Sequence, residues 1–467
     1  MGKSANEYPD IQAILRGFSR SYTHAFFSMM KFSDSPADNR EFLGSLGEAL
    51  AVCEVPTSIR ALNTKPSSGV TVGLSAQGLR RLGVAPSVLR TFPDDFREGM
   101  AARAAINGDI EASAPDRWDD CWGEGVDLLL GVFARSAEVA EEVRQRLVAH
   151  IDANGAIREV GVEHAHRLLR QGASDPTDDR AVIEHFGFDD GISMTPVEGL
   201  VRNEPQRIRG AGKITGDGNW ETIAAGEFLY GYTDEIGEVP PSPTPRTIGR
   251  NGTYLVYRKL SQDVGAFHDY THRAASHYPG LTGDDIAEKM VGRRRTGEPL
   301  VGEPAQGNDF AYTSDPNGRQ CPLGSHVRRT NPRDSLGFQS LLVDRHRILR
   351  RGITYGSPMS PAEDAATADR GLLFLACNIS IERQFEFVQR EWVNFGNDFN
   401  QGGARDPLIG SQVAGSGTDE FVFSMSEQQP LVICRDVPQF VTTRGGEYFF
   451  VPGLHAFQML VDDAFNA

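Results

Sequence analysis

The chain has 467 residues, of which 39% are hydrophobic and 24% are charged, and it carries a formal net charge of −16 with a pI near 5.2. A chain of this length exceeds one ordinary domain, and its hydrophobic content is sufficient for packed cores. A surface this acidic repels phosphate backbones and anionic lipids, so nucleic acids and membranes are poor candidate partners.

No stretch of the sequence approaches the roughly 20 apolar residues of a membrane-spanning helix. The first residues, Met1 to Asn6, do not begin an apolar run of the kind that an export signal needs. The cysteines are scattered, odd in number and never spaced as CxxC: Cys53, Cys121, Cys321, Cys377 and Cys434. This pattern argues against a disulfide framework and against a zinc or iron–sulfur site. We therefore expect a cytoplasmic protein with reduced thiols.

Apolar runs predict three strands in the first half of the chain: residues 26–33, 70–74 and 128–136. A short helix is expected after the second run, opened by Ser75 and closed by Gly83 and Pro86. A second helix is expected after the third run, with Ser136 as its N-cap. One face of that helix carries Val139, Val143 and Leu147 at the spacing of an amphipathic helix.

The second half of the chain repeats this pattern. Residues 254–261 match residues 26–33 in length and in a final Lys-x-Ser, and residues 372–380 match residues 128–136. Ser380 is followed by glutamates at the offsets found after Ser136, and a helix is expected with Ile381, Phe385, Val388 and Trp392 on one face. Each half is therefore predicted to form one α+β domain, with coincidence between apolar strands as the alternative. Residues 199–251, rich in Gly and Pro, separate the halves as a surface connection.

The first of three clusters that could carry chemistry is the segment 187–191, Gly-Phe-Asp-Asp-Gly. Its two flanking glycines, Gly187 and Gly191, permit a tight turn that would push the Asp190 carboxylate toward a ligand. The alternative is an ordinary turn in which the acid only favours the turn conformation.

The second and third clusters are basic. His326 stands among Arg328, Arg329 and Arg333, an arrangement that could combine a metal-binding imidazole with arginines for the anionic groups of a cofactor. Arg350 lies in a basic strand-like segment that runs into a turn bounded by glycines, where a fixed guanidinium could stabilise developing negative charge. The alternatives are a solvated basic loop for the former and a charged edge strand for the latter.

Taken together and in this order, the three clusters resemble the dye-decolorising peroxidases. Gly187-x-x-Asp190-Gly191 is similar to the GxxDG signature of that family, His326 stands where its proximal haem ligand does, and Arg350 resembles its distal arginine. Further similar phrases occur at residues 10–17, 226–232 and 381–387. Thr354 departs from the pattern, because proline is expected there. The length and the missing export signal resemble the longer, intracellular branch of the family.

The resemblance implies a fold of two ferredoxin-like α+β domains, each an antiparallel sheet with helices, with haem b held mainly by the C-terminal domain. We assign residues 1–200 to the first domain, residues 201–251 to the Gly/Pro-rich connection and residues 252–467 to the haem-binding domain. The expected partners are hydrogen peroxide and aromatic reductants such as anthraquinone dyes and phenols, which the enzyme would oxidise through a ferryl intermediate. A homo-oligomer is compatible with the sequence.

The resemblance also assigns roles to single residues. His326 would be the axial ligand of the haem iron, Asp406 its hydrogen-bond acceptor, and Arg329 a partner of a haem propionate. Asp190 would transfer the peroxide proton, and Arg350 would stabilise the charge that develops. The alternatives are a haem carrier or sensor without turnover, an enzyme of the chlorite-dismutase type, and a two-domain binding protein without haem.

Two points stay open at the level of the sequence. Either Leu373 and Leu375 or Leu372 and Phe374 wall the distal pocket, because the phase of the strand is undecided. Trp220, Trp392 and Tyr355 are candidates for relaying electrons from bulky substrates at the surface, with ordinary core packing as the alternative for each of them.

Overall fold

The computed structural model describes residue 8 and residues 10–175, 177–178, 181–201, 205–302, 307–337, 340–359, 369–425 and 430–465. Its strands, in chain order, are β1 His24–Lys31, β2 Ser68–Leu74, β3 Leu128–Ala134, β4 Arg158–His166, β5 Leu168–Leu169, β6 Val182–Ile183, β7 Lys213–Ile214, β8 Trp220–Glu221, β9 Thr253–Gln262, β10 Leu349–Arg350, β11 Ile353–Tyr355, β12 Gly371–Asn378, β13 Phe421–Phe423, β14 Val432–Cys434 and β15 Val441–Val451. Within these ranges, no helix is long and apolar enough to cross a membrane.

The α-helices that accompany the strands range from single turns to five turns. In chain order they are α1 Pro36–Leu50, α2 Ile59–Asn63, α3 Ala76–Arg81, α4 Pro86–Leu89, α5 Asp94–Glu98, α6 Ala104–Asn107, α7 Asp120–Gly123, α8 Ala137–Asn154, α9 Pro205–Ile208, α10 Arg246–Gly249, α11 Val264–Ser276, α12 Gly283–Val291, α13 His326–Thr330, α14 Leu341–Arg345 and α15 Leu454–Val461.

The two halves of the main sheet have the same strand order. In the first half the antiparallel order is β2-β3-β1-β4, and in the second it is β10-β12-β9-β15, with β11 also paired to β12. If the strands of each half are counted along the chain, with β10 and β11 as one position, both orders read second, third, first, fourth. This is the ferredoxin-like arrangement, and it confirms the predicted α+β fold with an internal repeat.

The halves join edge to edge, with Phe450 of β15 opposite Leu74 of β2. The two outer edges of the sheet also meet, since the Thr354 hydroxyl in β11 donates a hydrogen bond to the carbonyl of His166 at the end of β4. The largest core therefore takes buried side chains from strands of both halves, and a second core lies under α11 and α12. Residues 201–251 separate strands β1–β4 from β9–β15 in the chain, and the exact domain limits stay a prediction. The expectation that this segment is a surface connection was wrong for much of it, because Ile223, Phe228, Leu229 and Ile248 are fully buried in the largest core.

The predicted strands correspond to β1, β2, β3, β9 and β12, with ends displaced by at most two residues. The predicted caps are also present. The Ser75 hydroxyl accepts a hydrogen bond from the backbone N–H of Gly78, and the Ser136 hydroxyl accepts one from that of Val139. These contacts span only three residues, so the local sequence is sufficient to specify them.

The α-helix predicted after Ser380 was wrong in its geometry. Residues Glu382–Glu386 and Val388–Val393 form π turns, in which the backbone N–H of residue i+5 bonds to the carbonyl of residue i, as Glu386 does to Ile381 at 2.9 Å. Three consecutive residues, 384–386, are buried. The smaller rotation per residue of a π turn brings all three toward the core, where Gln384 donates to the carbonyls of Glu227 and Arg347.

Candidate active site

His326 is the first residue of the short helix α13 and is paired with a carboxylate. Its Nδ1 lies 3.0 Å from Oδ2 of Asp406, which is fully buried. The other oxygen of Asp406 accepts hydrogen bonds from the backbone N–H groups of Leu408 and Ile409 at 2.9 and 3.1 Å. Burial alone would raise the pKa of Asp406, but His326, Arg329 and the backbone N–H groups outweigh burial and lower it.

An ionised Asp406 determines what His326 can bind. The carboxylate accepts from Nδ1–H, so that in the neutral tautomer Nε2 carries the free lone pair. Nε2 has no hydrogen-bond partner among the described residues, and the side chain of His326 remains 24% exposed. A neutral imidazole held by a buried carboxylate is the usual arrangement of a metal-ligating histidine. The donor set around His326 therefore fits an axial ligand of a haem iron.

Arg329 lies on the same helix, next to Asp406. Its Nε donates to the carbonyl of Trp392 at 2.6 Å and its Nη1 donates to that of Ala404 at 3.0 Å. Burial lowers the pKa of Arg329 to about 10, with Asp406 opposing the change, so the side chain stays protonated at neutral pH. Its Nη2 is buried without a partner among the described residues and can still donate to an anion.

Asp190 lies at the end of a glycine-bounded turn, as the sequence predicts. Gly187 and Gly191 adopt φ values of 92° and 77°, in the region that favours glycine. The backbone N–H of Asp190 donates to the carbonyl of Val182 at 3.0 Å, and its Oδ1 accepts from the N–H of Gly191 at 2.7 Å. Asp190 is half-buried, and its Oδ2 forms no hydrogen bond with any of the described residues.

Arg350 in β10 lies opposite Ala376 of β12, and residues directly opposite in a sheet share a face. Phe374 and Leu372 follow at alternate positions of β12 and therefore lie on the face of Arg350. Leu373 and Leu375 point the other way and are fully buried. The strand phase thus assigns Leu372 and Phe374, rather than Leu373 and Leu375, to the side of Arg350.

The segment around Asp190 packs against residues that lie on both sides of Arg350 in the chain. The Thr195 hydroxyl donates to the carbonyl of Ile348 at 3.2 Å, and Nε2 of His185 lies 2.7 Å from the carbonyl of Tyr355. The segments that carry Asp190 and Arg350 are therefore in contact, although no ion pair joins these two side chains in the described part of the chain.

A residue that the sequence did not single out, Arg293, links this region to the His326 helix. Its guanidinium donates to the carbonyl of Gly297 at 2.9 Å and to the Ser193 hydroxyl at 3.4 Å, close enough to Arg350 for the two charges to interact. The preceding Gly292 packs so closely on Ser325 and Val327 that a Cβ there would lie 2.5 Å from a methyl group of Val327. The run of three arginines at residues 293–295 is visible in the sequence and could have indicated an anion-binding residue, but the sequence does not show which of the three points inward.

Comparison with known proteins agrees with this geometry. The family described as Dyp-type peroxidase, C-terminal, matches residues 246–408, which include His326, Arg350 and Asp406. The dye-decolorizing peroxidase msp1 of Mycetinis scorodonius is 30% identical over 484 aligned residues, covering 97% of this chain and 87% of that protein. The chain belongs to the dye-decolorising peroxidase family.

Solved structures of other dye-decolorising peroxidases share the whole fold. DyP2 from an Amycolatopsis species has a TM-score of 0.75 and 27% identity, covering 98% of this chain and 97% of its own. A dye-decolorizing peroxidase in complex with 2,6-dimethoxyphenol has a TM-score of 0.75 and 25% identity, covering 97% and 99%. The prediction that this chain is an enzyme, a peroxidase of the dye-decolorising type, is thereby confirmed.

Two of the three aromatic residues considered as surface relays in this dye-decolorising peroxidase are in the core. Trp392 is 1% exposed and Tyr355 is 3% exposed, so neither can meet a bulky dye at the surface. Trp220 is half-buried, and its indole N–H donates to Asp309 at 2.7 Å. The structure therefore favours the packing alternative for Trp392 and Tyr355.

Proposed function

We propose that this peroxidase binds haem b through His326 and uses hydrogen peroxide to oxidise bulky aromatic reductants, including anthraquinone dyes and phenols. The observation that carries the proposal is the 3.0 Å contact between Nδ1 of His326 and Oδ2 of the buried Asp406. In the same chain, the segment that carries Asp190 contacts the segment that carries Arg350. The relative solved with 2,6-dimethoxyphenol supports a phenolic reductant.

His326, Arg329 and Arg293 are the residues that we propose for holding the haem. His326 would supply the axial nitrogen, oriented by Asp406. Nη2 of Arg329 and the guanidinium of Arg293 have no carboxylate partner among the described residues, and both could pair with propionates. When bound, haem supplies the redox chemistry, and the protein supplies position and charge.

Asp190 is the proposed proton carrier. Its free oxygen would accept the proton of one peroxide oxygen and return it to the other oxygen, which leaves as water when the oxygen–oxygen bond breaks. Arg350, exposed on its strand and without an acidic partner among the described residues, would stabilise the negative charge that develops in that step. Leu372 and Phe374 would exclude water on the same side.

An absorbance spectrum of the purified protein tests the proposal. We expect a Soret band that changes when peroxide is added and returns when a phenol follows. Absence of a Soret band after reconstitution with haem would contradict haem binding. A band that peroxide leaves unchanged would instead favour the carrier or sensor alternative.

Compartment and domain limits also remain proposals. The five cysteines form no disulfide, which favours the predicted cytoplasmic location with its reducing conditions. Limited proteolysis would test the proposed connection at residues 201–251, because cleavage there should leave two fragments that separate only on denaturation.

A further inference from the structure

A small cavity lies in the first half of the chain, among the short helices α3, α4 and α5. Its volume is about 190 Å³. Its lining residues all belong to the segment 76–97, and none of them is a residue that we assign to haem or to peroxide. An apolar cavity of about 150 Å³ is large enough to bind benzene. This cavity therefore has room for one aromatic ring.

The floor of the cavity is apolar and is supported by the main sheet. Leu89, Phe92 and Phe96 line it and are 7%, 2% and 1% exposed. The ring centroid of Phe92 lies 5.3 Å from that of Phe450 in β15, and the ring centroid of Phe96 lies 5.1 Å from that of Tyr254 in β9. Because both phenylalanines pack on strands, the floor is formed before any ligand binds. Aromatic side chains favour a flat aromatic ligand, which can stack on them or pack edge to face.

Three exposed arginines surround this floor: Arg80, Arg90 and Arg97 line the cavity. Arg97 forms an ion pair with Asp94. Arg80 donates to the neutral amide oxygen of Gln77. Neither Arg80 nor Arg90 forms an ion pair within the part of the chain that the structure describes. Two positive charges beside the cavity are therefore not neutralised by a carboxylate of those residues.

The two other acidic residues of α5 do not offset these charges. Glu98 pairs with Arg103 at 2.7 Å, and Asp95 is buried, where it accepts a hydrogen bond from the backbone N–H of Glu382 at 2.9 Å. The whole chain carries a net charge of −16. At physiological ionic strength, however, exposed charges more than about 8 Å apart are largely screened from each other. The arginines beside the cavity therefore determine the sign of the charge that it favours, and they favour an anion.

We propose that this cavity binds a monocyclic aromatic carboxylate, with its ring on the floor formed by Leu89, Phe92 and Phe96 and its carboxylate at Arg80 and Arg90. A guanidinium presents a planar pair of N–H donors that matches the two oxygens of a carboxylate. An inorganic anion would use the arginines and leave the apolar floor uncovered. The site is separate from the proposed haem site, so either proposal can fail without the other.

The test is a fluorine NMR titration of the haem-loaded enzyme with para-fluorobenzoate. We expect saturable binding to the wild type. Arg80→Gln and Arg90→Gln should each raise the Kd by about two- to fivefold, and the double variant by about tenfold, because exposed ion pairs contribute modestly. Arg60→Gln is the matched control, since Arg60 is an exposed arginine that does not line the cavity and its loss changes the net charge equally. Its Kd should equal that of the wild type.

Two further measurements separate the ring from the charge. The neutral para-fluorobenzamide has nearly the same shape and should bind more weakly than para-fluorobenzoate, with equal Kd values for the wild type and the double variant. Ala76→Leu enlarges a half-buried side chain that lines the cavity, so it should abolish binding while keeping every arginine. Equal Kd values of para-fluorobenzoate for the wild type, the double variant and Ala76→Leu would overturn the inference. Its displacement by an equal concentration of inorganic phosphate would overturn it as well, because the arginines would then bind any anion.

Binding of the probe at the haem is distinguished by two readouts. We expect para-fluorobenzoate to leave the Soret band unchanged and to bind Arg350→Leu with the wild-type Kd. A Kd that changes in Arg350→Leu and not in the double variant would place the probe at the haem and contradict the proposed cavity. The double variant should react with peroxide at the wild-type rate, so loss of this site leaves the proposed function intact. Conversely, a protein without a Soret band that still binds the probe would contradict only the haem proposal.

Discussion

Oδ2 of Asp406 lies 3.0 Å from Nδ1 of His326, although the two residues are 80 positions apart in the chain. Two backbone N–H groups that follow Asp406 bond to its other oxygen and hold it in place. The carboxylate is therefore oriented before any ligand binds. The imidazole of His326, which donates a hydrogen bond to that carboxylate, is oriented as well. Hydrogen-bond partners of this kind are worth about 10–100-fold in metal affinity.

Asp406→Asn should therefore weaken haem binding by about 10–100-fold, because the neutral amide accepts the Nδ1–H bond less strongly. Haem titration monitored at the Soret band measures the Kd. Asp315→Asn is a matched control, since Asp315 is buried and bonds to Arg328 of the same helix without contacting His326. It should lower stability while leaving the haem Kd near the wild-type value. Equal Kd values for wild type and Asp406→Asn would contradict the role of Asp406.

His326→Ala should lose most of the haem, because the proposed bond between the protein and the iron is removed. The ratio of Soret absorbance to protein absorbance measures this loss. His346→Ala provides the comparison, because His346 is a buried histidine whose ring centroid lies 3.8 Å from that of Phe387 in a tilted arrangement. Normal haem content in His326→Ala, together with a loss of haem in His346→Ala, would show that His346 is the iron ligand instead.

Asp190→Asn and Arg350→Leu should both keep their haem, because neither side chain is proposed to bond to it. Proton transfer by a general acid–base group is typically worth about 10²–10⁴ in rate. A preorganised charge is worth about 10²–10³. Stopped-flow mixing with peroxide measures both losses, with Asp189→Asn, the neighbouring acid that pairs with Arg170, as the control. A loss of less than about tenfold in both variants would rule out the mechanism.

Glu447 should make stability depend on pH. Burial raises the pKa of Glu447 to about 7 from its ordinary value of 4.5, while hydrogen bonds from the N–H groups of Met100 and Tyr448 oppose the rise. The folded protein then binds more protons than the unfolded chain between these two values, so this contribution is present in full below pH 4.5 and is lost as pH rises through about 7.

Glu447→Gln removes that contribution and keeps the shape of the side chain. The Tm of the variant minus that of the wild type should therefore increase between pH 4.5 and pH 7 and stay constant above it. Differential scanning calorimetry across this range measures the difference. A Tm difference that does not change with pH would show that Glu447 titrates alike in the folded and unfolded states.

The sequence by itself determined the features that depend on near neighbours. The strands of both halves follow from apolar runs, the caps at Ser75 and Ser136 follow from contacts three residues long, and the turn around Asp190 follows from glycines that permit positive φ. Each of these is decided within a few residues, where the local chemistry leaves few alternatives. The internal repeat indicated that both halves share one pattern of strands and helices, but it did not give the order of the strands in the sheet.

Only the tertiary structure decided the features that join distant parts of the chain. The contact of Asp406 with His326 and the inward direction of Arg293 depend on how segments outside the strands pack against one another. The face of Leu372 and Phe374 depends on strand register, because a strand buried on both sides is apolar at every position and its sequence does not reveal its phase. A one-residue change of that register would reverse this face, and only packing against the rest of the fold excludes it.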